Sequence, residues 1–246
     1  MGIQAISVVG KMKTGKSTFA VSAPKPLIVF DFELGMQRVE PRFIKDLSKI
    51  RILPYADALI IDKKRHPQQA MELWDKIIQD YKAALEDPKV KTIVFDTFTS
   101  VWEARRMAYL AELKERDPSR ISLMPQEYFV PNTDMKTLLV QARLHNKILI
   151  VTHHTREVYI EGKPSGMEEA DGFKYTGDLV DVELWMTKAG GKPIGKIVTC
   201  GLSMTAEGLE IPEPTFAQLE AMVDSFRSIG ESEDAAEEPK SKKDKE

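Results

Sequence analysis

Apolar residues along this chain gather into short unbroken runs. Ala5-Ile6-Ser7-Val8-Val9, Pro26-Leu27-Ile28-Val29-Phe30, Thr92-Ile93-Val94-Phe95 and Ile148-Leu149-Ile150-Val151 are of this kind. Strands of a parallel sheet covered on both faces require such runs, rich in β-branched residues. Between them the spacing changes. Ala70, Leu73, Trp74, Ile77, Ile78, Tyr81 and Leu85 recur at three- and four-residue steps and predict a helix over 67–85, stopped by Asp87-Pro88. Further helices are predicted after Ser17, over 36–46, over 101–114, and up to Leu144 with Asn132 or Thr133 as cap. Residues 49–54 alternate like a short strand, and 116–131 are irregular, with Pro118, Pro125 and Pro131 as breakers.

The end of the chain has a different pattern. Residues 180–187 and 194–200 predict a β-hairpin turning through Lys188-Ala189-Gly190-Gly191-Lys192-Pro193. Thr215, with Gln218 three residues on, is a capping box for a last amphipathic helix over 215–229. From Gly230 the chain is rich in Glu, Asp, Lys and Ser and predicts a disordered charged tail. The expected architecture is therefore α/β, a mostly parallel sheet between helices with a C-terminal hairpin and helix. One domain is expected over 1–229 and a tail over 230–246.

The chemistry begins directly after the first strand. Gly10-Lys11-Met12-Lys13-Thr14-Gly15-Lys16-Ser17 fits G-x-x-x-x-G-K-[ST], and Thr18 continues into a helix. Strand, loop and helix are the context a phosphate-binding loop needs. Its glycines let several N–H groups face one anion, and the helix end adds its positive dipole. Lys16 is placed to reach β- and γ-phosphates, and the Ser17 hydroxyl to hold Mg²⁺.

Two further strands end in carboxylates. Asp31 and Glu33 follow Phe30, and Asp96 follows Phe95. The carboxyl ends of parallel strands are where open α/β sheets bind ligands. Of Asp31 and Glu33, one is expected to face a nucleotide and the other to hold the loop. Asp96 ends its strand in Walker B form, a second Mg²⁺ partner. A fourth strand delivers His153-His154. Their adjacency on a strand points them apart, which disfavours a metal pair with Glu157 or Asp171 and suits one of them to sensing the γ-phosphate.

Residues 155–177 form a long polar loop or hairpin. Arg156, Tyr159, Lys163, Phe173, Lys174 and Tyr175 there could stack on and neutralise single-stranded nucleic acid, while Glu161, Glu168, Glu169 and Asp171 oppose it. Composition narrows the remaining choices. A net charge of −3 gives no global nucleic-acid signature. One cysteine, Cys200, excludes an internal disulfide and a four-cysteine zinc site. No apolar run approaches the ~20 residues that span a bilayer, so a cytoplasmic protein without membrane contact is expected. The basic run Lys63-Lys64-Arg65-His66 is expected to be solvated.

With the loop, Glu33, Asp96 and His154 in this order, the chain resembles the RecA-core P-loop ATPases. It is most similar to phage-encoded nucleotide-binding ATPases of that type, some acting in single-strand annealing and recombination. The resemblance covers about residues 1–228. It rests also on the lysine inside the loop, on Asp31-Phe32-Glu33-Leu34-Gly35, on Val151-Thr152-His153-His154, and on Ile211-Pro212-Glu213-Pro214-Thr215-Phe216 before a helix. It implies a RecA-like fold, ATP with Mg²⁺, and DNA-stimulated hydrolysis. It implies single-stranded DNA as partner, a ring or filament of identical subunits, a single-strand binding protein nearby, and a host cytoplasm.

By the same resemblance, Glu33 activates water, Asp96 is the Walker B aspartate, and His154, or else His153, is the polar sensor. Residues 155–177 correspond to the DNA loop, and Lys192 or Lys196 reaches a neighbouring subunit's nucleotide. Three rivals stand beside it. A small-molecule P-loop kinase of the thymidine-kinase type lacks its zinc cysteines here. A ParA/MinD-type ATPase would use Lys11, but the rest of that family's pattern is missing. A nucleotide-binding adaptor or helicase loader would bind ATP with little hydrolysis.

Overall fold

A computed structural model describes residues 2–39, 47–55 and 67–236. The predicted runs become strands β1 (Ala5–Gly10), β2 (Leu27–Asp31), β4 (Thr92–Asp96) and β5 (Ile148–His153), with β3 (Ile50–Pro54) at one edge. Two hairpins follow: β6 (Thr155–Ile160) with β7 (Lys163–Ala170), and β8 (Val182–Ala189) with β9 (Lys192–Cys200). With β10 (Glu210–Pro212), the main sheet runs β10-β9-β8-β1-β5-β4-β2-β3. From β3 to β8 its pairs are parallel, and β9 and β10 add antiparallel pairs at the end. The β6–β7 hairpin stands apart as its own two-stranded sheet.

Period-two geometry sends successive strand residues to opposite faces, and both faces are apolar. On one, Ile28, Phe30, Ile93, Phe95, Leu149 and Val151 pack against helices α2 (Pro67–Glu86), α3 (Phe98–Arg116) and α4 (Phe129–Leu144). On the other, Ile6, Val8, Leu27, Val29, Val94 and Ile150 pack against α1 (Lys16–Ala20) and the last helix. A one-turn helix, α5 (Thr176–Leu179), lies between β7 and β8, and α6 (Phe216–Ala236) closes the described chain. Among the described residues no helix is long and apolar enough to cross a membrane.

The structure corrects several expected boundaries. α4 starts at Phe129, ahead of the expected caps, and Pro131 sits in its first turn, where a missing N–H costs little. Thr133 instead donates its hydroxyl back to the Phe129 carbonyl at 2.8 Å. α3 starts earlier too, at Phe98, capped by the Thr97 side chain on Ser100 N. The helix expected over 36–46 is a 3-10 turn at Gly35–Arg38, and 40–46 lie outside the described residues. So does Lys63-Lys64-Arg65-His66. The Thr215–Gln218 capping box forms, but its helix passes Ile229 and runs to Ala236, so the tail begins helically rather than at Gly230. Residues 237–246 are outside the described residues.

The rings of the first face make a tight cluster. Phe30, fully buried, lies 4.7 Å from Phe95, 5.7 Å from Tyr55 and 6.4 Å from Tyr81, centroid to centroid. Phe30→Ala removes the ring common to these contacts. It is expected to cost about 3–5 kcal/mol, read as a lower denaturant midpoint at unchanged m-value.

Candidate functional site

β1 lies between β5 and β8, while the chain passes from β1 to β2 across two intervening strands. A crevice therefore opens at the carboxyl ends of the parallel strands. It is about 280 Å³ and is lined by Met12, Lys13, Gly15, Lys16, Ser17, Thr18, Glu33, Asp96 and His154. The far wall is Arg38 and Val39 with Lys188, Gly191 and Pro193.

The loop 10–17 is tightly specified. A Cβ on Gly10 would lie 2.5 Å from the Met186 carbonyl oxygen, so only glycine lets the loop leave β1 beside β8. Gly15 has φ 104°, the left-handed region that glycine enters without strain. Thr14 donates to the Lys11 carbonyl at 2.9 Å. Lys16 is only 6% exposed, and its Nζ donates to the carbonyls of Gly10 at 2.7 Å and Lys11 at 2.9 Å. Burial lowers its pKa, with Asp96 and Glu33 pulling the other way. An ammonium held among carbonyls in a half-dry cleft is poised for an anion. Lys11 points out of the cleft and pairs with Glu168 of β7 at 2.7 Å.

Asp96 is the buried carboxylate of the site. Ser17 donates to its Oδ2 at 2.7 Å and Thr152 to its Oδ1 at 2.6 Å. The sheet register explains the second bond: Phe95 pairs with Val151, so the next residues, Asp96 and Thr152, lie side by side. Burial raises the Asp96 pKa. The two hydroxyls oppose that, and neighbouring Asp31 and Glu33 add to it. Two hydroxyl partners leave much of this buried negative charge uncompensated. The oxygen-only donor set of Ser17 and Asp96 therefore fits a hard divalent cation such as Mg²⁺.

Asp31, paired with Asp96 across β2 and β4, does a different job. It accepts N–H bonds from Gly35 at 2.9 Å and Met36 at 3.0 Å and so folds the turn that carries Glu33. Of the two carboxylates, Glu33 faces the cleft. Its Oε1 lies 2.6 Å from His154 Nε2 and accepts from Thr97 Oγ1 at 3.2 Å. Burial pushes the Glu33 carboxyl up, but His154, Thr97 and Lys16 outweigh it and hold it below its ordinary value. Glu33 is therefore ionised at neutral pH, as a base must be.

The two histidines separate as their adjacency requires. His154 is in the cleft. His153 is buried, edge-on to Phe98 at 5.7 Å, with Nδ1 3.0 Å from the Asp171 carbonyl oxygen. Among the described residues, no group of three or more His, Cys, Asp or Glu is placed to hold a metal.

The residues expected to meet nucleic acid divide as well. Arg156 pairs with Glu169 at 2.8 Å and approaches Asp171 at 3.8 Å. Tyr159 is 64% exposed, and Lys163, also exposed, begins β7. Over 155–171 two basic side chains face five acidic ones. Phe173 is in the core, and Tyr175 is half-buried against it. Lys192 sits at the tip of β8–β9 and pairs with Glu213 at 3.2 Å, while Lys196 is exposed on β9.

Sequence reasoning missed Thr152, Thr97, Arg38, Lys188 and Pro193. Thr152 left a trace, a hydroxyl in an apolar run just before the histidines. The wall from β8–β9 left none, because only the β1–β8 pairing brings it to the loop.

Comparison with known proteins adds the following. A family model described as an AAA domain, AAA_24, matches residues 4–177. The fold is similar to the crystal structure of the RadB recombinase, with a TM-score of 0.51 and 16% identity over 86% of this chain and 87% of that one. No curated protein matches the sequence.

His153 provides a pH test. Burial lowers it from its ordinary 6.5 to about 4. Between those values the unfolded chain takes up a proton that the folded chain refuses. Stability is therefore full above pH 6.5 and falls as pH drops toward 4, by about 3 kcal/mol from this group. In His153→Gln that part of the pH dependence disappears from urea midpoints measured at pH 7, 5.5 and 4.5. An unchanged slope would mean that His153 titrates normally.

Proposed function

The chain belongs to the AAA domain family, and from that membership we propose that it binds and hydrolyses ATP while acting on single-stranded DNA in phage recombination or replication. One observation carries the reading: a phosphate loop, a hydroxyl–carboxylate pair and a histidine-held glutamate converge in one cleft. The phosphates would lie along the N–H groups of loop 10–17 and draw the Lys16 ammonium away from the Gly10 and Lys11 carbonyls. Ser17, with Asp96 behind it, would hold Mg²⁺, which when bound neutralises charge on the β- and γ-phosphates. Glu33 orients a water and takes its proton. His154, bonded to Glu33, can turn to the γ-phosphate and release it.

His154 leads straight into β6, so a change there reaches the hairpin, an order–disorder or hinge switch of the NTPase kind. DNA enters the proposal through the hairpin candidates Arg156, Tyr159 and Lys163, through Lys174 and Tyr175, and because a structural relative is a recombinase. Assembly into a ring or filament belongs to the same reading. Lys196 is the better candidate for reaching a neighbour's nucleotide, since Lys192 is held by Glu213. One observation favours a second reading. The acidic balance of 155–171 suits a protein partner, as in an adaptor or loader with little hydrolysis.

ATP turnover with and without single-stranded DNA, on the wild type and Glu33→Gln, separates the two. The proposal expects DNA stimulation, and a loss of about 10²–10⁴ in kcat for Glu33→Gln with ATP binding retained. Firm ATP binding with no turnover, DNA or not, would decide for the adaptor.

A further inference from the structure

The hairpin β6–β7 is acidic on balance, and Arg156 and Lys11 are paired with its glutamates; a different cluster of cations lies near its base. There the rings of Tyr128, Trp102, Phe173 and Tyr175 form a continuous ladder, with successive centroids 6.3, 5.6 and 5.6 Å apart. Three cations sit on its rungs. The Arg106 guanidinium is 5.6 Å from the Trp102 ring centre, and the Lys136 and Lys174 ammoniums are 5.1 and 4.7 Å from that of Tyr175. Phe173 is the buried rung that fixes the ladder to the core. Tyr128, Trp102 and Tyr175 are only half-buried, and Lys136 and Lys174 are exposed. Phe129, next to Tyr128 in the sequence, is 74% exposed.

We propose that this ladder is a single-stranded DNA site, with bases stacking on Tyr128, Trp102 and Tyr175 and phosphates meeting Lys136, Lys174 and Arg106. It rests on the DNA reading given above and moves the contact from the acidic hairpin onto helices α3 and α4 and the segment 172–176. Lys174 is the only charged residue of that segment. Rings offer every base a stacking face, and cations beside them follow the backbone without reading sequence.

The ladder is also joined to the cleft. Asp171 donates its N–H to the His154 carbonyl at 2.8 Å, and its own carbonyl accepts from Thr99 at 2.7 Å. Gly172 follows with φ 121°, where a Cβ would lie 3.1 Å from Thr99 Cα, so the segment is seated closely on α3. DNA on the ladder and the γ-phosphate end of the cleft thus act on one short stretch of backbone.

The test is anisotropy of a labelled oligo-dT at several salt concentrations, with melting temperature as the check on folding. Lys136→Glu/Lys174→Glu is expected to lose at least tenfold in affinity. Its slope of log K against log salt should flatten by about 1.4, two phosphates at about 0.7 each. Tyr175→Leu is expected to lose about tenfold with the slope unchanged. Lys82→Glu/Lys89→Glu makes the same charge change around the end of α2 and controls for net charge. Wild-type binding with ladder variants no weaker than that control would overturn the site and leave the DNA reading standing. No wild-type binding even at low salt would overturn both.

Discussion

A buried carboxylate with incomplete compensation is the constraint on which this structure turns. Asp96 ends β4 between β2 and β5, and its two oxygens are held by hydroxyls from the start of α1 and the end of β5. Such a charge is costly away from water unless partners surround it. Here the two partners come from separated parts of the chain, so the crevice assembles around it. Ser17 fixes where the phosphate loop enters its helix. Thr152 fixes the last residues of β5 and therefore which histidine faces the cleft. The Asp96 carbonyl accepts the Phe32 N–H at 2.8 Å, steadying the turn that carries Glu33. The residues lining the cleft and the packing of the sheet share one anchor.

Side chains tie the cleft to the hairpin beside it. Lys11 reaches from the loop to Glu168, and His154 joins Glu33 to the first residue of β6. The first is an exposed ion pair and contributes little to stability. Its value is in geometry, since the loop that would hold phosphates and the strand that would report them touch directly. The second is a half-buried hydrogen bond inside the cleft.

Much of this was legible in the sequence, and the reasons are physical. Runs such as Leu27–Asp31 and Thr92–Asp96 announce strands buried on both faces, and each carboxylate at such a strand's end is placed by local geometry alone. Adjacency on a strand was enough to separate His153 from His154. The Thr215–Gln218 box was readable because both of its bonds are local. Errors came where local rules are permissive. Pro131 breaks a helix interior but not a first turn, and the charged residues after Gly230 can still extend a helix already formed. What stayed hidden depends on long-range pairing. Trp102 meets Tyr128 and Phe173 only after three segments fold together, and Pro193 meets the phosphate loop only because β8 lies beside β1.

That last pairing bears on where the folding unit ends. The stretch that matches the AAA domain stops at residue 177, yet β1 has β8 as one of its two neighbours, and Gly10 abuts the Met186 backbone. Cut after 177, the chain would leave the central strand of its phosphate loop with an open edge. It would also strip the apolar covering of α6 from the second core and remove one wall of the cleft. The stretch after residue 177 is therefore no appendage to a nucleotide-binding module. It is the second flank of the strand that carries the loop, and one wall of the cleft.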